Sequence, residues 1–151
     1  MGSTLRIYLD ACAVSRLTDD PSQSRIRLEA EAMEHFFRHL LAGRVRWICS
    51  SILELEIRRN PDAQRRDEAL RMLVYATEMH LPDAWVTTRA RLLQSMGYGP
   101  FDALHLAIAE HSKADLLLTT DDRFLRQVRR GLGKPSVRAA NPLDYLQEAK
   151  P

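Results

Sequence analysis

The chain has 151 residues, of which 45% are hydrophobic and 28% are charged, and its formal net charge is +2. These values are typical of one globular domain, here residues 1–151, and they exclude a disordered or low-complexity chain. No apolar run is long enough to span a bilayer and no signal peptide is recognisable, so we expect a cytoplasmic protein without a membrane contact. Cys12 and Cys49 match neither a zinc motif nor a disulfide framework.

The first half of the chain alternates between short apolar runs and amphipathic segments. Leu5–Leu9 and residues 45–48 predict two buried strands, because both runs are mostly apolar. Between them, helical spacing of apolar residues predicts a helix that is capped by Ser22 or Ser24 and ends at Gly43. Three more helices are predicted, from Ser50 or Ser51 to Arg59, over residues 64–79 and over residues 83–96.

The second half continues the alternation. A helix is predicted over Pro100–His111, since proline is tolerated in the first turn of a helix. Residues 114–119 give the clearest strand, and a helix marked by Phe124, Leu125 and Val128, a strand at 136–139 and a short terminal helix from Asn141-Pro142 follow. Strands that alternate with helices need crossover connections. We therefore expect an α/β fold with a mostly parallel sheet covered on both faces.

Acidic residues occur beside apolar runs where carboxylates are rare; they are Asp10, Glu56, Asp102 and Asp121. Asp10 and Asp121 follow predicted strands, and ligands of parallel sheets gather at the carboxyl ends of strands. Carboxylates in apolar surroundings are costly unless they are neutralised, and a hard divalent cation prefers oxygen ligands. The pattern therefore predicts a Mg²⁺ or Mn²⁺ site. For any one of these acids, a simple helix cap is an alternative.

Positive charge is concentrated from Arg123 onward, where seven basic residues stand against two acids. A basic segment beside an acidic site is typical of a protein that binds a polyanion such as RNA. The candidate phosphate contacts are Arg123, Arg126, Arg129 and Arg130. The alternative is a solvated amphipathic helix with no ligand.

Four motifs resemble those of the PIN-domain nucleases, and most closely the VapC-type toxins of bacterial toxin–antitoxin pairs. They are Ile7-Tyr8-Leu9-Asp10, the Ser50–Ile57 segment around Glu56, Pro100-Phe101-Asp102-Ala103-Leu104-His105, and Leu117–Phe124 around Asp121. Their order, their spacings of 46, 46 and 19 residues, and the closing Asn141-Pro142 extend the resemblance over nearly the whole chain.

The resemblance implies a three-layer α/β/α sandwich with a mostly parallel central sheet. It also implies a Mg²⁺- or Mn²⁺-dependent endoribonuclease, which hydrolyses RNA in line to 5′-phosphate and 3′-hydroxyl ends and is silenced by a cognate antitoxin. The helix over residues 25–41 and the helices near residues 52–79 are candidate surfaces for that antitoxin or for a homodimer.

The family's acids fall on Asp10, Glu56, Asp102 and Asp121, as catalytic residues and metal ligands. Glu54 and Asp122 are the rivals of the second and fourth acids. Glu56 is preferred because Ile57 supplies the aliphatic residue that follows the family's glutamate. Asp121 is preferred because Thr119 and Phe124 stand at the family's positions before and after it.

The chain departs from the family pattern after its first aspartate, where it has Ala11 and Cys12 instead of the common Thr or Ser and Asn. A hydroxyl that would support the metal or the phosphate is missing there, and Ser15 is the candidate replacement. This departure favours an alternative, a catalytically weak or inactive PIN-like module that binds RNA or protein. We expect His105, one turn beyond Asp102, to be a packed and hydrogen-bonded side chain beneath the site rather than a catalytic one.

Overall fold

The computed structural model of the protein describes residues 4–149. The strands are β1 (Leu5–Leu9), β2 (Val45–Ser50), β3 (Glu78–His80), β4 (Leu116–Leu118) and β5 (Arg138–Ala140). The helices are α1 (Ala11–Ser15), α2 (Ser24–Leu41), α3 (Ser51–Arg58), α4 (Ala63–Met72), α5 (Ala84–Ser95), α6 (Pro100–His111), α7 (Asp122–Arg129) and α8 (Pro142–Ala149), with a 3₁₀ turn at Leu73–Tyr75. The predicted alternation of strands and helices is confirmed.

The five strands form one parallel sheet in the order β3-β2-β1-β4-β5. At its centre, Ile7 of β1 pairs with Trp47 of β2 on one side and with Leu116 of β4 on the other. These three side chains face the layer that contains α1, α2 and α8, while Tyr8 faces the layer of α5, α6 and α7. Because both faces are covered, the central strands β1, β2 and β4 are mostly apolar rather than alternating. The α/β/α sandwich is confirmed.

The sheet has a topological switch point between β1 and β4. From β1 the chain crosses over to β2 on one side, and it returns much later to add β4 on the other side. The backbone N–H of Asp10 still donates to the carbonyl of Leu118 at 3.3 Å, so β1 and β4 end side by side. Loops at such a point diverge in opposite directions and leave a crevice at the carboxyl ends of the two strands.

The predicted helix over residues 64–79 is wrong in its second half. Helix α4 ends at Met72, and Glu78–His80 form the edge strand β3 beside β2. Thr77 starts this pairing, because its hydroxyl accepts the N–H of Trp47 at 3.0 Å and its own N–H donates to the Trp47 carbonyl at 3.0 Å. A three-residue edge strand, paired on one side only, is too short and too polar to give a strand pattern in the sequence.

The helix caps follow the prediction at most positions. The Ser50 hydroxyl accepts the N–H of Leu53 at 3.1 Å, and Pro100 occupies the first turn of α6. Helix α2, by contrast, begins at Ser24 after Gln23, whose side chain makes no capping hydrogen bond, so neither predicted serine caps it. Ser22 instead donates its N–H to Asp20, which closes a turn before the helix. None of the helices between residues 4 and 149 is long and apolar enough to cross a membrane.

Candidate active site

Asp10 is held at the carboxyl end of β1, where it caps α1. Its Oδ1 accepts the N–H of Ala13 at 3.0 Å and the thiol of Cys12 at 3.0 Å, and the residue is 3% exposed. Burial raises the pKa of this carboxyl, while the nearby His105 and hydrogen bonds from Thr119 lower it. A strand end and a helix start therefore fix a buried carboxylate at the switch point.

Asp121 occupies the corresponding position after β4. Its Oδ1 accepts the N–H of Phe124 at 3.1 Å as the cap of α7, and its own N–H donates to the Thr119 hydroxyl at 3.0 Å. The rival Asp122 is instead paired with Arg25 at 2.7 Å. Of the two acids, Asp121 is the one whose charge acts on the carboxyl of Asp102.

The two glutamates of α3 have different surroundings. Glu56 approaches the ring of His105, with 2.7 Å between its Oε1 and the His105 Nε2. Glu54 pairs with Arg58 one turn further along the helix surface, at 2.9 Å. The charge of Glu56 also acts on Asp102, so the structure brings the predicted glutamate, rather than its rival, to the other acids.

Asp102 lies in the first turn of α6 and shows how close the acids are. Its pKa is raised from 3.8 to about 7, firstly by burial and then by the negative charges of Asp10 and Asp121, with a smaller contribution from Glu56; His105 opposes the shift. Like charges raise a carboxyl pKa in this way only when they are near each other. Four elements thus bring all four predicted acids into one electrostatic environment.

The donor set fits a hard divalent cation in its chemistry, since it consists of carboxylate oxygens whose repulsion a cation would relieve. Within residues 4–149, no three His, Cys, Asp or Glu side chains stand as a group that could hold a metal ion. One oxygen of Asp10 and one of Asp121 cap helices, and one oxygen of Glu56 contacts His105. The second oxygen of each acid lies outside these hydrogen bonds.

Cys12 occupies the place beside Asp10 for which we predicted Ser15. Its thiol donates to Asp10, accepts the N–H of Thr120 at 3.3 Å and lies 3.4 Å from the Thr119 hydroxyl. Burial raises the pKa of this thiol well above its usual range, so it remains a neutral donor. None of the hydrogen bonds to Asp10 within residues 4–149 comes from Ser15. The departure from the family pattern therefore still supplies a donor to the first aspartate, through sulfur.

The predicted phosphate contacts all lie exposed along or at the end of α7, which buries Phe124, Leu125 and Val128 on its other side. Arg123 is in the first turn, next to Asp121. Arg129 is paired with Asp144 at 3.0 Å. Arg130 is the C-cap residue at the opposite end of the helix, about 14 Å from Asp121 along the helix axis. Arg126 lies one turn further along α7 than Arg123. Of the four predicted arginines, Arg123 is therefore the one nearest in sequence to Asp121.

The sequence prediction missed a buried ion network next to the site. Glu29 is fully buried, and its carboxylate accepts hydrogen bonds from Arg16 at 2.8 Å, Arg25 at 3.3 Å and the side-chain amide of Asn141. Arg25 also donates to the carbonyl of Thr120 at 3.1 Å, which ties α2 to the loop that carries Asp121. A signal existed, because Glu29 falls on the apolar stripe of α2.

Removing the charge of Asp102 is expected to stabilise the metal-free protein at high pH. The folded pKa of about 7 lies above the usual 3.8, so the folded state binds this proton more tightly than the unfolded chain, and stability falls as pH rises from about 4 to about 7. After allowance for partial exposure and for a favourable charge at the helix start, we expect Asp102→Asn to gain about 1 kcal/mol, or about 2–4 °C in Tm, at pH 8 and little at pH 4.5.

Thermal unfolding in EDTA at both pH values measures this gain. Asp67→Asn, at an exposed position of α4, is the control and should change Tm equally at both pH values. A variant at Asp102 that is less stable than the parent protein at pH 8 would contradict the raised pKa.

The sheet order, the two helical layers and the carboxylates at the switch point define an α/β protein with an acidic cluster at the carboxyl ends of its strands. Residues 7–130 match the sequence family described as the PIN domain. The chain belongs to the PIN domain family. Among curated protein sequences, none is significantly similar to it.

Three solved structures share the fold. VapBC2 from Rickettsia felis, bound to a DNA fragment from its promoter, matches with a TM-score of 0.60 and 16% identity over 91% of this chain and 98% of that chain. DNA-bound VapBC from Salmonella typhimurium matches with a TM-score of 0.58 and 16% identity over 92% of this chain and 99% of that chain. VapC20 of Mycobacterium tuberculosis, a sarcin-ricin loop cleaving toxin, matches with a TM-score of 0.59 and 13% identity over 85% of this chain and 97% of that chain. At these identities the likeness is one of fold.

Proposed function

We propose that this protein is a Mg²⁺- or Mn²⁺-dependent endoribonuclease whose metal ligands are Asp10, Glu56, Asp102 and Asp121. The proposal is supported by the positions of the four carboxylates: Asp10 and Asp121 cap helices at the two strand ends of the switch point, Glu56 contacts His105, and burial together with these negative charges raises the pKa of Asp102. Clusters of acids are costly to fold without a function that needs them. The PIN domain family and the VapC-type neighbours support the nuclease assignment.

A bound divalent cation would activate a water molecule and stabilise the charge that develops on the phosphate during in-line hydrolysis. The chain's own residues position the reaction. Asp10 and Asp121 are short side chains fixed by helix caps, so their carboxylates have little freedom. Asp102 and Glu56 would complete the acidic face from α6 and α3, and Arg123, exposed in the first turn of α7, would bind a phosphate of the RNA backbone.

We further propose that the nuclease acts as the toxin of a toxin–antitoxin pair. The support is that two of the structural neighbours are VapBC complexes. The candidate antitoxin surface remains the outer side of α2 and the α3–α4 region, where Leu28, Leu41, Leu55 and Val74 are exposed. A homodimer through the same region stays a prediction.

The second candidate is a PIN-like module that binds RNA but does not cleave it. The observation that favours it is the Ala11-Cys12 pair, which replaces a hydroxyl beside the first aspartate with a thiol. Sulfur is a weaker hydrogen-bond donor than oxygen, so Asp10 is less firmly supported than a hydroxyl would make it.

An RNA cleavage assay with metal titration separates the two candidates. The nuclease is expected to cut labelled RNA in Mn²⁺, to stop in EDTA, and to lose both Mn²⁺ binding and cleavage when Asp102→Asn is made. Glu54→Gln, which removes an acid of α3 that faces away from the site, is the matched control and should cleave normally. A protein that keeps its RNA affinity in EDTA and cuts under no condition is the binding module instead.

A further inference from the structure

We propose that Tyr8 and His105 are positioning residues that orient the Glu56 carboxylate, an inference that rests on the proposed metal site. A continuous chain of hydrogen bonds leads to that carboxylate from the protein interior. The Tyr8 hydroxyl lies 2.6 Å from the Ser50 Oγ and 2.6 Å from the His105 Nδ1, and the His105 Nε2 lies 2.7 Å from the Glu56 Oε1. At its inner end, Ser50 accepts the N–H of Leu53 at 3.1 Å.

With a neutral imidazole, one proton arrangement satisfies every group in this chain. An ionised Glu56 can only accept, so the His105 Nε2 donates to it and the Nδ1 must accept. The Tyr8 hydroxyl then donates to that Nδ1 and accepts from Ser50. Tyr8 is suited to this role, because its side chain is fully buried and its hydroxyl lies 2.6 Å from both the Ser50 Oγ and the His105 Nδ1. Each hydrogen bond is thus donated toward the Glu56 carboxylate, from Ser50 to Tyr8, from Tyr8 to His105 and from His105 to Glu56.

These four hydrogen-bonded residues, Ser50, Tyr8, His105 and Glu56, form a relay that is rigid except at Glu56. Tyr8, Ser50 and His105 are fully buried, and the imidazole lies between the rings of Tyr8 and Phe101, at centroid distances of 5.5 and 6.4 Å. The Glu56 side chain is 30% exposed. A free glutamate side chain loses rotamer entropy when it is fixed. The relay therefore fixes the side chain before any cation binds.

The anchored oxygen is only one of the two on Glu56. His105 holds Oε1, and no residue within the described range 4–149 donates a hydrogen bond to Oε2. In many metal sites a histidine is the ligand and a carboxylate orients it from behind. Here the roles are exchanged, since the carboxylate faces the other acids and the histidine stands behind it. Loss of such an outer partner typically lowers metal affinity by about 10–100-fold.

Tyr8→Phe tests the inference, because it removes one hydroxyl and keeps the ring. We expect the affinity for Mn²⁺ alone, measured by calorimetry without RNA, to fall about 10-fold. Tyr145→Phe is the matched control: Tyr145 is also buried, and its hydroxyl lies 2.6 Å from the Nδ1 of His39, far from the acids. It should lose comparable stability and keep the Mn²⁺ affinity of the parent protein.

A double-mutant cycle distinguishes positioning from general destabilisation. If Tyr8 acts through Glu56, Tyr8→Phe should have no further effect on Mn²⁺ affinity in a Glu56→Gln background. If Tyr8→Phe does not fold, His105→Gln is measured in its place against the same criteria. If the parent protein binds Mn²⁺ and the Tyr8→Phe or His105→Gln variant binds it with the same affinity, the inference is wrong and the proposed function is unaffected. A parent protein without Mn²⁺ affinity overturns both.

Discussion

Asp10→Asn is expected to lower the rate of RNA cleavage by about 10³-fold while leaving the fold intact. The substitution keeps the size of the side chain and removes the charge that a divalent cation would bind. Asparagine caps helices as well as aspartate does, so the contact with the N–H of Ala13 persists. Because Asp10 is buried beside three other acids, losing its charge should also relieve repulsion in the metal-free protein.

Cleavage kinetics and thermal unfolding together measure this effect. The variant should show an unchanged or higher Tm in EDTA, a smaller Tm increase on adding Mn²⁺, and a loss in kcat rather than only in KM. Glu31→Gln, which removes an exposed acid of α2, controls for a change in net charge. Cleavage within 10-fold of the parent rate would falsify the metal mechanism, since a ligand at the centre of the site cannot be dispensable.

The sequence was sufficient for the features that have a local cause. Strand β1 is a mostly apolar run that ends before Asp10, and α6 begins at Pro100, so both elements were predicted with their bounds. The strand-end positions of Asp10 and Asp121 were readable for the same reason. The prediction that His105 is packed and hydrogen-bonded is confirmed, because a histidine one turn below Asp102 on an apolar helix has few other places to go.

Features with a tertiary cause were not predictable in this way. Strand β3 depends on the backbone hydrogen bonds between Trp47 of β2 and Thr77. The sequence around Thr77 has no pattern that predicts this pairing. The Tyr8–His105 relay joins residues 97 positions apart in sequence. Cys12, which the family pattern marked as a departure, contacts the loop after β4 only because β1 and β4 are neighbours. Local rules give elements and their ends, whereas side-chain partners depend on strand order.

Glu29→Gln is expected to lower the free energy of unfolding by about 3 kcal/mol, or about 10 °C in Tm. Glu29 is fully buried, and its charge offsets Arg16 and Arg25. The isosteric amide removes the negative charge that lies between the two guanidinium groups and leaves each with one other carboxylate, Asp19 for Arg16 and Asp122 for Arg25. Breaking one side of a buried ion pair costs more than the pair contributes, because the remaining charge stays desolvated.

Denaturant unfolding of Glu29→Gln against Glu31→Gln separates this effect from a general change in α2. Glu31 lies on the same helix and is exposed, so its variant should stay within about 0.5 kcal/mol of the parent protein. If Glu29→Gln also lowers the free energy of unfolding by less than about 1 kcal/mol, the ion network around Glu29 does not stabilise the fold. A large loss has a consequence for the site: Arg25 holds the carbonyl of Thr120 and the carboxylate of Asp122, so a loosened Arg25 frees the loop between them. Mn²⁺ affinity should then fall together with stability, since Asp121 lies on that loop.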